Sequence, residues 1–164
     1  LRTAIHQFKY EDLRCLASPL GKLMAEGWSK LASSSIKPDV IVPIPLHPKR
    51  QRQRGYNQAT LLALELAARL QRPVVEDALI RTKATAPQID LNIQERWANV
   101  RDAFQCQTSS LSGKQVLLID DVYTTGATLE SAAVALHRTG ARSIWAYTLA
   151  RARPSPQKVF TNTI

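Results

Sequence analysis

The stretch "VLLIDDVYTTGAT" (116–128) constrains the fold more than any other part of the chain. Val116, Leu117, Leu118 and Ile119 form an apolar run of strand type. The run ends directly in two carboxylates, Asp120 and Asp121, and then in Thr124, Thr125, Gly126, Ala127 and Thr128. An apolar helical stripe follows at once, with Leu129, Ala132, Ala133 and Leu136 spaced for one face and Gly140 as the stop. A buried strand that runs through an acidic turn into a helix must be continued by a crossover. Such units stack into a mainly parallel sheet with helices on its faces.

The rest of the chain repeats this alternation. "DVIVPIP" (39–45) is a short buried strand stopped by prolines, and "NQATLLALELAARLQ" (57–71) is an apolar helix opening at Asn57. "VVEDALIRT" holds a second strand, and "SIWAYTLA" a final one. The N-terminal third is mostly helical, with Leu1, Ile5 and Phe8 on one face and Leu13 to Leu31 stepping by three and four residues. Ser18 before Pro19 has the pattern of an N-cap followed by proline at the first helical position. Between Lys83 and Gln115 the chain is largely polar, with one amphipathic helix expected over "NIQERWANVRDAF". That helix would open on Asn92 and Glu95 at the spacing of a capping box. We therefore expect one α/β domain over 1–164, with a helical segment at 1–35 and the α/β core at 36–164.

Composition narrows the partners. Lys and Arg number 22 against 13 Asp and Glu, a net charge of +9, and the pI is near 10. Such a surface attracts polyanions: nucleic acid or a highly phosphorylated metabolite. No apolar run reaches the roughly 18 residues of a membrane span. No signal peptide is visible, and the chain opens on Leu1 rather than Met, as a domain cut from a longer protein would. Cys15 and Cys106 stand alone, without metal-ligand spacing, and read as reduced structural thiols of a cytoplasmic protein.

Ligands of open α/β sheets sit at the carboxyl ends of the strands. Two unusual segments, 46–56 and 120–128, follow strands directly and should share that end. The second begins a helix, whose unpaired N–H groups and dipole favour phosphate, and Gly126 lets the backbone curl around an anion. Asp120 and Asp121 cannot bind phosphate, but they can accept hydrogen bonds from a sugar diol or stand near a divalent cation. A Walker-type loop is excluded, because no GxxxxGK[ST] occurs. Lys49, Arg50, Arg52 and Arg54 crowd one polar loop. If it is extended, Arg50, Arg52 and Arg54 share a side. That loop suits pyrophosphate beside the phosphate nest, and a solvated surface or a nucleic-acid contact remain open readings. Lys83 and Arg96 lie where a closing segment would bring positive charge to a departing pyrophosphate.

This combination resembles the phosphoribosyl-pyrophosphate motif of type I phosphoribosyltransferases. The wider pattern resembles their ComF branch, through "VPIPLHPKRQRQRGYNQA" (42–59), "RTKATAPQIDLNIQERWANVRDAF" (81–104) and "KY" (9–10). The resemblance implies that Asp120 and Asp121 contact the ribose 2′- and 3′-hydroxyls, while Thr124 through Thr128 wrap the 5′-phosphate. It implies that Leu46, His47, Arg50, Arg54 and Gly55 hold pyrophosphate with Mg2+. A mobile flap over about 82–100 would carry Lys83 and Arg96 to the reaction. No side chain is implied as a firm metal ligand, although Asp120 and Asp121 could reach the ion through water. Members commonly carry a cysteine-rich zinc segment ahead of this domain, whose ligands are not in this sequence. The implied activity is transfer of phosphoribosyl to a nitrogen acceptor of unknown identity, with a role in competence and DNA uptake. Binding of the metabolite, of single-stranded DNA or of competence proteins without turnover is the alternative. Self-association as a homodimer is left open.

Overall fold

In the computed structural model, which describes residues 1–11, 13–31, 36–83, 95, 98, 100 and 102–152, the apolar run 116–119 is the centre of the molecule. It lies in β4 (Gln115–Tyr123), with β1 (Val40–Pro43) on one side and β5 (Ser143–Arg151) on the other, both parallel to it. Val116, Leu117, Leu118 and Ile119 are fully buried. Successive side chains of a strand point to opposite faces, so this run feeds two cores. Val116 and Leu118 join Val40, Val42 and the apolar stripe of α5 (Ala127–His137). Leu117 and Ile119 join Ile41 and a helical layer on the other face. That layer is made of α1 (Arg2–Tyr10), α2 (Ala17–Leu31) and α4 (Gln58–Leu70), with Phe8, Met24, Leu62 and Leu66 packed inside it. Burying each such side chain contributes about 1.5–3 kcal/mol.

The expected α/β architecture with a helical N-terminal segment is present, and four local expectations are corrected. Segment 46–56 is not an extended loop, because Pro48–Arg54 forms a helix, α3. His47 caps it by accepting from the Lys49 N–H at 3.3 Å, Pro48 occupies the first turn, and Gly55 closes it in the left-handed region at φ 79°. Those boundary signals were present in the sequence. The missing cue was an apolar stripe, since α3 buries nothing. Arg50, Arg52 and Arg54 therefore do not share a side. At 3.6 residues per turn Arg50 and Arg54 share a face, and Arg52 turns away into solvent.

The second correction concerns β2 (Leu79–Arg81). It pairs antiparallel with a strand not anticipated, β3 (Phe104–Cys106), while Val74, at the start of the expected segment, bridges β1 in parallel at Ile41. Third, the helix expected to run through Phe104 ends earlier. Glu95, Ala98 and Val100 are helical, but Asp102 turns the chain at φ 51° and Phe104 begins β3. Fourth, α2 starts at Ala17, led in by a 3-10 turn over Arg14–Leu16, so Ser18 lies inside the helix rather than at its cap. Pro19 is still in the first turn, where a missing N–H costs nothing. Asn92 and Arg96 and most of the expected flap lie outside the described residues.

α2 meets α4 where Gly21 faces Glu65. A Cβ on Gly21 would stand 2.3 Å from the Glu65 Cβ, so the two backbones can approach only because the side chain is absent. Gly21→Val should destabilise the fold by about 1–3 kcal/mol, the usual cost of overpacking a close contact. Urea unfolding measures it, and an unchanged midpoint would mean the helices are not held this closely in solution.

Candidate active site: an acid pair at the open end of the central strand

The site exists because β4 outruns β1. Their pairing ends at Pro43 opposite Ile119, and the Ile44 N–H to Ile119 carbonyl bond at 2.9 Å is the last contact before β1 leaves the sheet. β4 continues to Tyr123, paired only with β5 among the described residues. The edge of Asp120–Tyr123 that β1 no longer covers opens onto a cleft of about 650 Å³. Strand alternation sends the two acids to opposite faces. Asp120 continues the Val116–Leu118 face toward Arg81, and Asp121 continues the Leu117–Ile119 face toward α1.

Segments 46–56 and 120–128 do share this end. Leu46, Arg50, Arg54, Asp120, Asp121, Thr124, Gly126 and Thr128 all border the cleft. Other sequence candidates among the described residues do not. His47 is spent on capping α3, and Gly55 lies at the far end of that helix. Thr125 Oγ1 accepts from the Ala127 N–H at 3.4 Å, and Ala127 itself is buried in the core. Lys83 follows β2 but is not part of the cleft lining, and Arg96 is outside the described residues. Among the described residues, Lys9, Tyr10, Asn57 and Gln58 line the cleft without having been sequence candidates, and Arg81, expected with the closing flap, lines it from β2. "KY" and "YNQ" were visible in the family-like segments, but nothing in spacing alone places an N-terminal helix beside a strand 110 residues later.

Electrostatics explain how two adjacent acids are tolerated. Asp121 is nearly buried, and its Oδ2 lies 2.7 Å from Lys9 Nζ. Asp120 Oδ1 accepts from the Asp121 N–H at 2.8 Å. Loss of hydration pushes the Asp120 carboxyl up to about 7, and the neighbouring Asp121 carboxylate adds to the rise. Lys9, the Asp121 N–H and Arg81 oppose it. Burial lowers the guanidinium pKa of both Arg54 and Arg81, and Arg50 pushes each the same way. Three arginines thus face two acids in one cleft, at a cost that a polyanionic ligand would relieve.

The start of α5 borders the same space. Gly126 caps it at φ 85°, a left-handed conformation that suits glycine, and a Cβ there would stand 2.8 Å from the Tyr123 hydroxyl oxygen. The first-turn N–H groups of a helix that opens on a cleft form an anion site. Among the described residues no cluster of three or more His, Cys, Asp or Glu could cage a metal. Nor is any helix there long and apolar enough to cross a membrane.

The Asp120 shift has a stability consequence. In the unfolded chain this carboxyl loses its proton near 3.8, and in the folded protein at about 7. Between those values the folded state holds a proton that the unfolded state has lost, so stability falls as pH rises through that window. Asp120→Asn should raise the melting temperature of the ligand-free protein more at pH 8 than at pH 5. An equal change at both values would show that Asp120 ionises normally in the cleft.

A family model for the phosphoribosyl transferase domain matches residues 17–161. The chain is 34% identical over 156 residues to competence protein F of Haemophilus influenzae, covering 93% of this chain and 68% of that protein. It is 34% identical over 153 residues to DNA utilization protein YhgH of Escherichia coli K12, covering 92% and 67%. With competence protein ComFC of Bacillus subtilis the identity is 37% over 125 residues, covering 72% and 48%. The chain thus spans about two thirds of the length of the first two relatives and about half of the third. Among solved structures, the glutamine phosphoribosylpyrophosphate amidotransferase of B. subtilis shares the fold, with a TM-score of 0.53 and 20% identity. That match covers 81% of this chain and 26% of the other. Family model, curated relatives and fold agree: the chain belongs to the ComF branch of the type I phosphoribosyltransferase superfamily.

Proposed function

We propose that the cleft binds phosphoribosyl pyrophosphate with Mg2+ and transfers its phosphoribosyl group to a nitrogen acceptor. The observation that carries this reading is the convergence of an acid pair, a helix start and three arginines on one open strand end. Each part suits one portion of the ligand. Asp120 and Asp121 accept hydrogen bonds from the ribose hydroxyls, and the Thr124–Thr128 turn takes the 5′-phosphate on backbone N–H groups. Arg50 and Arg54, on one face of α3, and Arg81, from the end of β2, meet the pyrophosphate.

The residues fit magnesium as a substrate-borne ion. Mg2+ is usually held by one or two carboxylates and phosphate oxygens, and it keeps several waters. Asp120 and Asp121 would hold it, and the mutual repulsion that raises Asp120 would be relieved by a cation. Bound there, the ion would supply charge neutralisation for the pyrophosphate. In the transfer, the acceptor nitrogen's lone pair forms the new bond to the anomeric carbon. The bond from that carbon to pyrophosphate breaks, and the leaving oxygen keeps the electron pair. The arginines stabilise that charge, and positioning does the rest. The names of the relatives, competence protein and DNA utilization protein, support a role in DNA handling for this chemistry.

Calorimetry with phosphoribosyl pyrophosphate, with and without Mg2+, tests binding, and a screen of nitrogenous bases for pyrophosphate release tests turnover. Asp120→Asn with Asp121→Asn should weaken binding by about 100-fold or more, since each lost charged hydrogen bond is worth about 1.5–3 kcal/mol, while the circular dichroism stays native. Wild-type affinity in that double variant would remove the acids from the site. Binding without release for any acceptor would identify a metabolite-binding protein. Salt-sensitive DNA binding with no metabolite binding would overturn the reading.

A further inference from the structure

The last turn of α1 is built into the cleft by contacts that a helix merely covering the core would not need. Phe8 is completely buried, and its ring lies 5.8 Å from that of Tyr56. The Phe8 carbonyl accepts two hydrogen bonds, from the Tyr56 hydroxyl and from Gln58 Nε2, the latter at 3.3 Å. Gln58 is itself buried, and its Oε1 accepts from Arg54. One amide therefore ties the end of α1 to the cleft-facing arginine of α3. Two residues on, the ring of Tyr10 lies beneath the Arg54 guanidinium, 5.4 Å from the ring centre. Lys9, between these two anchors, extends its side chain to Asp121.

We infer that Lys9 is a positioning residue for the sugar-binding acid pair, an inference that rests on the function proposed above. An aspartate at an open strand end has two free torsions, and without a partner its carboxylate would swing toward water. Lys9 Nζ, at 2.7 Å from Oδ2, fixes one oxygen and leaves Oδ1 for a hydroxyl donor. The lysine is pinned in turn, because the backbone on its N-terminal side is anchored through the Phe8 carbonyl. Only about a quarter of the Lys9 side chain and a tenth of the Asp121 side chain meet solvent. A pair so shielded escapes most of the screening that makes exposed ion pairs weak. Lys9 also places a positive charge beside the acid pair, which lessens the repulsion of an anionic sugar phosphate. The N-terminal helix is in this way a working part of the site, although it comes from outside the strand–turn–helix units that define the fold.

The experiment separates this role from simple anchoring of α1. Lys9→Met keeps most of the aliphatic stem and removes the charge, and Lys9→Arg restores the charge with a different reach. Each variant is titrated with phosphoribosyl pyrophosphate and Mg2+, and separately with inorganic pyrophosphate without Mg2+, which brings neither sugar nor cation to the acid pair. Lys9→Met should bind phosphoribosyl pyrophosphate at least about tenfold more weakly, with pyrophosphate affinity within about twofold of wild type. Lys9→Arg should recover most of the loss. Equal weakening of both ligands, or failure of arginine to rescue, would show that Lys9 only holds the helix. Wild-type affinity for both ligands in Lys9→Met would also overturn the inference. If the wild-type protein binds no phosphoribosyl pyrophosphate, the proposed function fails first.

Discussion

The site depends on a mismatch in strand length. β1 stops pairing at Pro43, while β4 runs on to Tyr123. The Ile44 N–H is the last that β1 gives to β4, and Pro43 and Pro45 fall on the opposite edge, the one from which the Ile41 N–H reaches the Pro73 carbonyl. Among the described residues the strand beyond Ile119 pairs with β5 alone, and its other edge borders the cleft. Had β1 matched β4 in length, the backbone edge of Asp120–Tyr123 would be paired rather than open to the cleft. The departing chain is then secured by Asn57, whose Nδ2 donates to the Ile44 carbonyl at 2.9 Å while its Oδ1 caps α4. One side chain therefore fixes both where β1 leaves and where the next long helix begins.

The period of the strand does further work. Adjacent acids on a helix would diverge by about 100°, and on a strand they point to opposite faces. Each acid consequently meets a different part of the protein, Asp121 the helical layer through Lys9 and Asp120 the β2 side through Arg81. This distribution lets two carboxylates stand next to each other with one ion-paired and the other readily protonated. It also couples the two cores to one site. Ile119 and Leu118, the last apolar residues before the acids, belong to different cores, so packing on either face bears on the geometry of the cleft.

Much of this was legible in the residues. The run 116–119, the acid pair, the hydroxyl turn and the stripe of α5 announce the central unit, because each step changes both polarity and periodicity. The buried helix at 58–70 was equally clear, with its cap at Asn57. Segment 48–54 was not, because a helix that buries no side chain leaves no stripe to read, and arginine suits helix and loop alike. β3 was missed for a related reason. Three residues are too few to display alternation, and Phe104 and Cys106 belong to one face of a pair that forms only with β2. Lys9 was hidden most deeply, since its partner is 112 residues away and only tertiary packing brings them together.

In the proposed arrangement the phosphate end of the ligand sits on the backbone of Thr124–Thr128 and the sugar on the acids, with the α3 arginines reserved for pyrophosphate. A crystal structure with phosphoribosyl pyrophosphate and Mg2+ tests this arrangement most directly. The 5′-phosphate is expected within hydrogen-bond distance of the N–H groups that open α5, and the ribose hydroxyls on the carboxylates of Asp120 and Asp121. A ligand held by Arg50 and Arg54 alone, with the start of α5 empty, would contradict it.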